Sequence, residues 1–443
     1  MSFYSTNKQT PAVNLKEAVI NGLAEDNGLF MPGHIPVLPA SFFQHIEKLS
    51  LPEISLEVAA TLLQDDMTKE ELWPIVEDSL NFDIPVVPVH DNIYSLELFH
   101  GPTSAFKDVG ARFMARLLAH FTQDSQKQIT VLVATSGDTG SAVANGFLGV
   151  PGIEVVILYP SGKVSDIQEK QLTTLGQNIT ALEIDGTFDD CQFLVKKAFL
   201  DKELNQKIQL TSANSINIAR LIPQSFYYHY AYAQVKEQGK AVVFSTPSGN
   251  YGNITGGLLA KRMGLPVHQF IAATNLNDVV PEYLHTGHFI PRPSTHTISN
   301  AMDVGNPSNF ARLMDMFDNS LESIREEITG YSFTDTETRQ LMLAVYQQYN
   351  YLLDPHGAIG YGALQKYFEE QNRTTNNEQQ TTNQVGIFLE TAHPAKFIKE
   401  VESTIGQSIS IPANLQCLLH KEKVSVLLPN SYENLKGYLL SRS

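Results

Sequence analysis

From Gln128 onward, short apolar runs alternate with amphipathic stretches. Ile129–Ala134 (ITVLVA) predicts a buried strand, Thr135–Gly140 a loop and Ser141–Leu148 a helix. The cycle repeats, with strands at Glu154–Tyr159, Ile179–Ile184 and Ile208–Thr211 and helices at Ser165–Leu175 and Phe188–Leu200. A long helix is expected from about Ile216 to Gln238, kinked near Pro223, whose missing N–H breaks the hydrogen-bond ladder. Further strands follow at Ala241–Ser245, Val267–Ala273 and Val385–Leu389, the first two around the Gly-rich segment Pro247–Gly257. Strands alternating with helices at this spacing predict a doubly wound, mostly parallel α/β sheet. Residues before about 95 read as a separate region, with fewer strand signals and several Pro breaks. The polar stretch Gln371–Gln384 reads as a solvated loop without a chemical role.

The chain of 443 residues can hold two or three domains, and 42% hydrophobic against 18% charged residues is ordinary for a globular protein. A net charge of −16 argues against a nucleic-acid partner, which needs clustered Lys and Arg. It leaves room for a phosphorylated small substrate, because a few local donors can reverse the field inside one pocket. Cys191 and Cys417 have no metal-ligand spacing and read as two buried free thiols in a reducing cytosol. No basic start and apolar run opens the chain, and no stretch reaches a bilayer-spanning length, so a cytoplasmic protein without a membrane partner is expected. The thirteen histidines form no H-E-x-x-H pattern and there is no Cys-His cluster, so no metal site is expected. His100, His356 and His393 read as packing or hydrogen-bonding residues.

Ligands gather at the carboxyl ends of strands in open α/β sheets, and four segments there carry polar chemistry. In Leu96–Arg112 (LELFHGPTSAFKDVGAR), Lys107 stands before an amphipathic run, Val109–Leu118; on spacing alone it is more often one half of a solvated helix-start pair. Thr135–Gly140 (TSGDTG) could bind an anion through small residues and free N–H groups at a helix start, or be a tight turn with Asp138 as N-cap. Ser248–Asn253 (SGNYGN) follows a strand and precedes a helix; it is neither a P-loop nor a dinucleotide motif, and it suits a single phosphate monoester. Asn214–Arg220 (NSINIAR) offers Arg220 as a bidentate phosphate fork with Ser and Asn donors, or a surface arginine with a capping serine.

In order along nearly the whole chain, Gly22–Pro32 (GLAEDNGLFMP), Leu96–Asp108 (LELFHGPTSAFKD), Ala134–Ala142 (ATSGDTGSA), Asn214–Arg220, Pro247–Asn253 (PSGNYGN) and Leu389–Phe397 (LETAHPAKF) resemble threonine synthases of the longer, bacterial and fungal type. The glycine loops are shared more widely among pyridoxal-phosphate enzymes of the tryptophan-synthase-β fold. The resemblance implies two doubly wound, mostly parallel α/β domains behind an N-terminal domain. The expected division is 1–95 for the N-terminal domain, 128–232 for a small domain, and 96–127 with 233–443 for a large cofactor-binding domain. It implies pyridoxal 5'-phosphate as cofactor, carried by Lys107 as a Schiff base. Gly249, Asn250, Tyr251 and Asn253 resemble the cofactor-phosphate loop, and Thr391 the hydroxyl residue at the pyridine nitrogen. Asn214, Ser215, Arg220 and Thr139 resemble groups that bind the substrate phosphate. Asp138 stands where the wider fold commonly has Asn, and its role is left open. Two positions depart from the family: Asn7-Lys8 replaces a common Arg-Gly, and Asn253 a frequent Asp.

The implied reaction is a lyase step of threonine biosynthesis: O-phospho-L-homoserine and water give L-threonine and phosphate by γ-elimination and β-replacement. The near alternative is a phospholyase or a serine/threonine dehydratase of the same fold. The alternative from another class is a catalytically idle pyridoxal-phosphate binding protein. A monomer or homodimer is expected.

Overall fold

The computed structural model describes residues 1–123, 128–375 and 383–442. Thirteen strands are formed among them: β1 Phe3–Ser5, β2 Phe30–Pro32, β3 Val86–His90, β4 Ile93–Glu97, β5 Ile129–Ala134, β6 Ile153–Pro160, β7 Ile179–Asp185, β8 Gln209–Ser212, β9 Ala241–Pro247, β10 Val267–Thr274, β11 Ile328–Ser332, β12 Gln384–Glu390 and β13 Val426–Pro429. β1 and β2 make a small antiparallel pair. A six-stranded sheet runs β11-β10-β9-β12-β4-β3 and a five-stranded sheet β13-β7-β6-β5-β8. Every pairing in these two sheets is parallel except β3 with β4.

The apolar runs are continuous because each sheet is covered on both faces. Val242 and Phe244 of β9 enter one core while Val243 between them enters another. In β5, Val131 and Val133 divide from Leu132 in the same way.

The expected strands from β5 to β10 and β12 form with ends displaced by two residues or fewer. The helix expected from Ile216 to Gln238 is instead three pieces, Ile218–Leu221, Gln224–Val235 and a 3₁₀ turn Lys236–Gln238, interrupted at Pro223. Gln371–Thr375 continues the helix Pro355–Thr375 rather than opening a loop, and residues 376–382 of that segment lie outside the described residues. Cys417 is exposed, contrary to the expectation of two buried thiols.

Two strands cross the expected domain limits. β3 begins at Val86 on the edge of the larger sheet, and β13 pairs with β7, so the chain's last strand joins the smaller sheet.

Candidate active site

β4, β5, β8, β9 and β12 are parallel neighbours within their sheets, and the segments leaving their carboxyl ends border one cavity of about 720 Å³. Lys107 reaches it from the first turn of the helix Lys107–Thr122. The loop before it is stitched to the segment after β12. Phe106 donates its N–H to the Thr391 carbonyl oxygen (2.9 Å), and His393 donates its N–H to that of Ser104 (3.0 Å). Asp108 folds back to accept the Thr103 N–H (2.8 Å) and hydroxyl (2.6 Å). These bonds hold Lys107 beside Thr391, which is 6% exposed and also borders the cavity. The solvated-pair reading of Lys107 fails: among the described residues no carboxylate pairs with its amine, and burial pushes its pKa below the ordinary lysine value.

At the end of β9, the loop Ser248–Tyr251 delivers the chain into the helix Gly252–Arg262. Gly249 must be glycine, since a Cβ would stand 2.6 Å from Met302 Cα. Tyr251 takes the left-handed conformation (φ 61°) at the N-cap position, leaving the first N–H groups of the helix free toward the cavity wall. Asn253 Oδ1 accepts the hydroxyls of Tyr227 (2.7 Å) and Tyr228 (2.8 Å), which fixes the amide with Nδ2 as its donor. That Nδ2 and the Tyr251 hydroxyl are buried without partners among the described residues.

A second set of donors borders the same cavity. Asn217, not Ser215, caps the helix Ile218–Leu221 by accepting the Ala219 N–H, so the capping-serine reading is corrected. Nor is Arg220 a surface residue: it is 4% exposed, donates to the Ala213 carbonyl oxygen, and keeps Nε unpartnered. Burial, against the opposing charge of Asp108, lowers its pKa to about 10, so it stays cationic at neutral pH. Asn214 donates to the Ala134 carbonyl oxygen (3.1 Å), and Ser215 Oγ accepts from Asn250 Nδ2 (2.6 Å). Asn250 therefore touches the Asn214–Arg220 segment as well as its own loop. Thr139 borders the cavity from the helix Asp138–Phe147.

Several residues here had no chemical role in the sequence reading, which left Asp138 open and took His356 as a packing or hydrogen-bonding residue. Asp138 is not an N-cap; Gly137 holds that position, and the Asp138 carboxylate accepts from Lys396 Nζ (2.6 Å) and Gln168 Nε2 (2.8 Å). Lys396 lies within the family-like Leu389–Phe397 segment, which was the available signal. Glu390 is fully buried, and burial, reinforced by Asp354, pushes its carboxyl well above the usual range. His356 borders the cavity, donates from Nδ1 to Asp354 (2.9 Å) and accepts the Ala301 N–H at Nε2 (3.2 Å). Arg312 is fully buried and donates to the carbonyl oxygens of Phe30, Ser215 and Ile216 and to Asn309 Oδ1. No motif marks it.

Two groups of anion-seeking donors beside the cavity lysine Lys107 fit a phosphorylated cofactor next to a phosphorylated substrate. The chain matches the family described as pyridoxal-phosphate dependent enzyme over residues 87–379, with threonine synthase N terminus over 2–80 and threonine synthase, C-terminal, over 357–439. It is 41% identical to threonine synthase of Escherichia coli K12 with all of both chains covered, and 44% identical to that of Haemophilus influenzae over 99% of this chain and 100% of the other. Among solved structures, the Escherichia coli threonine synthase superposes with a TM-score of 0.91 over 100% of both chains at 41% identity. A pyridoxal-phosphate-bound threonine synthase from Brucella melitensis also reaches 0.91, at 33% identity, covering 100% of this chain and 99% of that one. With that likeness running from end to end, the chain belongs to the threonine synthase family of pyridoxal-phosphate-dependent enzymes.

Proposed function

We propose that the chain converts O-phospho-L-homoserine and water to L-threonine and phosphate. The observation that carries this reading is Arg220, a buried guanidinium in no ion pair among the described residues, on the wall of the cavity that holds Lys107. A dehydratase acting on serine or threonine needs no such cation.

In this reading Lys107 holds the cofactor covalently, Gly249, Asn250, Tyr251 and Asn253 hold its phosphate, and Thr391 faces its ring nitrogen. When bound, pyridoxal phosphate supplies the sink for electrons released at the substrate's Cα and Cβ. Lys107 Nζ, its pKa lowered by burial, takes the Cα proton and serves again at Cβ. Arg220, Ser215, Asn214 and Thr139 bind the γ-phosphate and hold its growing charge as it leaves. The neutral Thr391 hydroxyl offers the ring nitrogen no strong acid, which moderates the sink. The walls around the cavity keep the unsaturated product in place until water adds at Cβ.

The same reading divides the chain into an N-terminal domain (1–95), a small domain (128–232) and a large domain (96–127 and 233–443), with β3 and β13 crossing those limits. It also proposes a cytoplasmic monomer or homodimer, since free thiols at Cys191 and Cys417 suit a reducing compartment. Among the described residues no helix is long and apolar enough to cross a membrane.

Incubating the purified protein with O-phosphohomoserine and resolving the organic products by chromatography tests the function. Threonine with equimolar phosphate is expected. Mostly 2-oxobutanoate would make it a phospholyase, and activity on free serine or threonine alone would make it a dehydratase.

A further inference from the structure

Lys396 and Asp138 form an ion pair that neither segment's local role requires. Lys396 is 1% exposed and sits in the 3₁₀ turn Pro394–Phe397, three residues after the strand-end loop containing His393. Its ammonium has two partners, Asp138 Oδ1 at 2.6 Å and the Thr103 carbonyl oxygen at 3.0 Å. Thr103 is the residue whose N–H and hydroxyl hold Asp108, next to Lys107. Asp138 Oδ1 accepts from Lys396 and Gln168 together, and Asp138 borders the cavity.

Removing two charges from water is costly, and an apolar pair would be at least as stable. A buried pair at a reactive site therefore points to a task beyond stability. The groups whose charge reaches Lys107 come from four elements: Asp138 at the start of its helix, Lys396 in the 3₁₀ turn, Arg220 in Ile218–Leu221, and Asp354 ahead of Pro355–Thr375. Asp138 is the foremost of these; the other carboxylate, Asp354, is already engaged by His356 and the Gly357 N–H.

We propose that Lys396 is a positioning residue of the cofactor site, engaging the Asp138 carboxylate so that the Lys107 amine keeps no counter-ion and stays reactive. The proposal rests on Lys107 being the cofactor lysine. Capture of the cofactor joins Lys107 Nζ to the aldehyde carbon, and the two amine hydrogens leave with the carbonyl oxygen as water. That step needs the NH₂ form. Taking away Lys396 leaves Lys107 as the next cation whose charge acts on Asp138, which favours NH₃⁺. The directions already seen agree: Asp138 is held well below the usual carboxylate range against its burial, by Lys396 first and Lys107 next.

The test uses full-length apoenzyme mixed with pyridoxal phosphate across a pH series, following the rate of covalent capture by absorbance. Borohydride trapping and peptide mapping of the parent enzyme come first. A label on Lys107 is expected; a label on another lysine would overturn the site reading and this inference with it. With Lys107 labelled, Lys396→Met is expected to raise the midpoint of the capture profile by about one pH unit or more. Asp138→Asn, which leaves Lys396 uncompensated, is expected to lower it. The double variant Asp138→Asn/Lys396→Met should return it close to the parent value. A purely structural role would lower thermal stability in each variant while leaving the midpoints together, and that result overturns the inference without touching the Lys107 assignment. If Lys396→Met fails to fold, Asp138→Asn and the double variant still decide by the sign of the shift between them.

Discussion

Glu390 and Gly357 lie so close that a methyl group on Gly357 would overlap Glu390 Oε2. Glu390 cannot easily retreat, because Oε1 accepts the Asp354 N–H at 2.6 Å and the next residue in the chain is Thr391. Gly357→Ala is therefore expected to destabilise the fold by about 1–3 kcal/mol, the usual penalty for overfilling a packed interior. Denaturant unfolding of the variant measures this. A parent-like midpoint would show that the carboxylate can turn away without cost.

Arg220→Ala should separate the two anion sites. The cofactor spectrum is expected to persist, since Gly249–Asn253 are untouched. Affinity or rate for the phosphorylated substrate should fall by about 2–5 kcal/mol, the usual loss for a buried charged contact. Steady-state kinetics on reconstituted enzyme reads it. Loss of cofactor with normal substrate kinetics would exchange the roles of the two segments.

Arg312→Met should loosen three parts of the chain at once. It leaves the carbonyl oxygens of Phe30, Ser215 and Ile216 without their guanidinium donors. Each buried acceptor left unpaired costs about 1–3 kcal/mol, so a loss of about 3 kcal/mol or more is expected in denaturant unfolding. Because Ser215 is among the released segments, KM for the phosphorylated substrate should rise in whatever folded enzyme is recovered. A stable variant with unchanged KM would mean that Asn250 and Asn309 suffice to hold Ser215.

His229 should give the fold an acid-sensitive limb. It is fully buried between helix and N-terminal region, its Nδ1 donating to the Ser225 carbonyl oxygen (2.9 Å), its Nε2 unpartnered and its ring stacked on Phe43. Burial lowers its pKa to about 4 from an ordinary 6.5. Between these values the unfolded chain binds a proton that the folded chain refuses, so stability falls as pH drops through that window. At about 1.4 kcal/mol per pH unit, the loss approaches about 3 kcal/mol near pH 4. His229→Phe keeps a ring against Phe43 and should flatten the limb. A limb as steep as the parent's in pH-dependent unfolding would assign it to another group.

The sequence by itself determined the elements and where chemistry would collect. An unbroken apolar run such as Ile129–Ala134 is a local property, and a strand buried on both faces follows from it wherever its neighbours come from. Polar, glycine-rich segments after those runs then had to fall at strand ends. That marked Lys107, Thr139, Asn214, Ser215, Arg220, the Gly249–Asn253 loop and Thr391 as strand-end candidates, and the structure gathers them around one cavity. What only the tertiary structure decided was partnership. Ser215 and Asn217 are equally good caps by composition, and the backbone chose Asn217, freeing Ser215 for Asn250. Asp138 read equally well as a cap until Lys396, far along the chain, claimed its carboxylate. Arg312 gave no sign at all, since its acceptors are backbone carbonyls that any residue type supplies. Patterns repeat along the chain, but a charge or a hydrogen bond is satisfied by whichever group folding brings within reach.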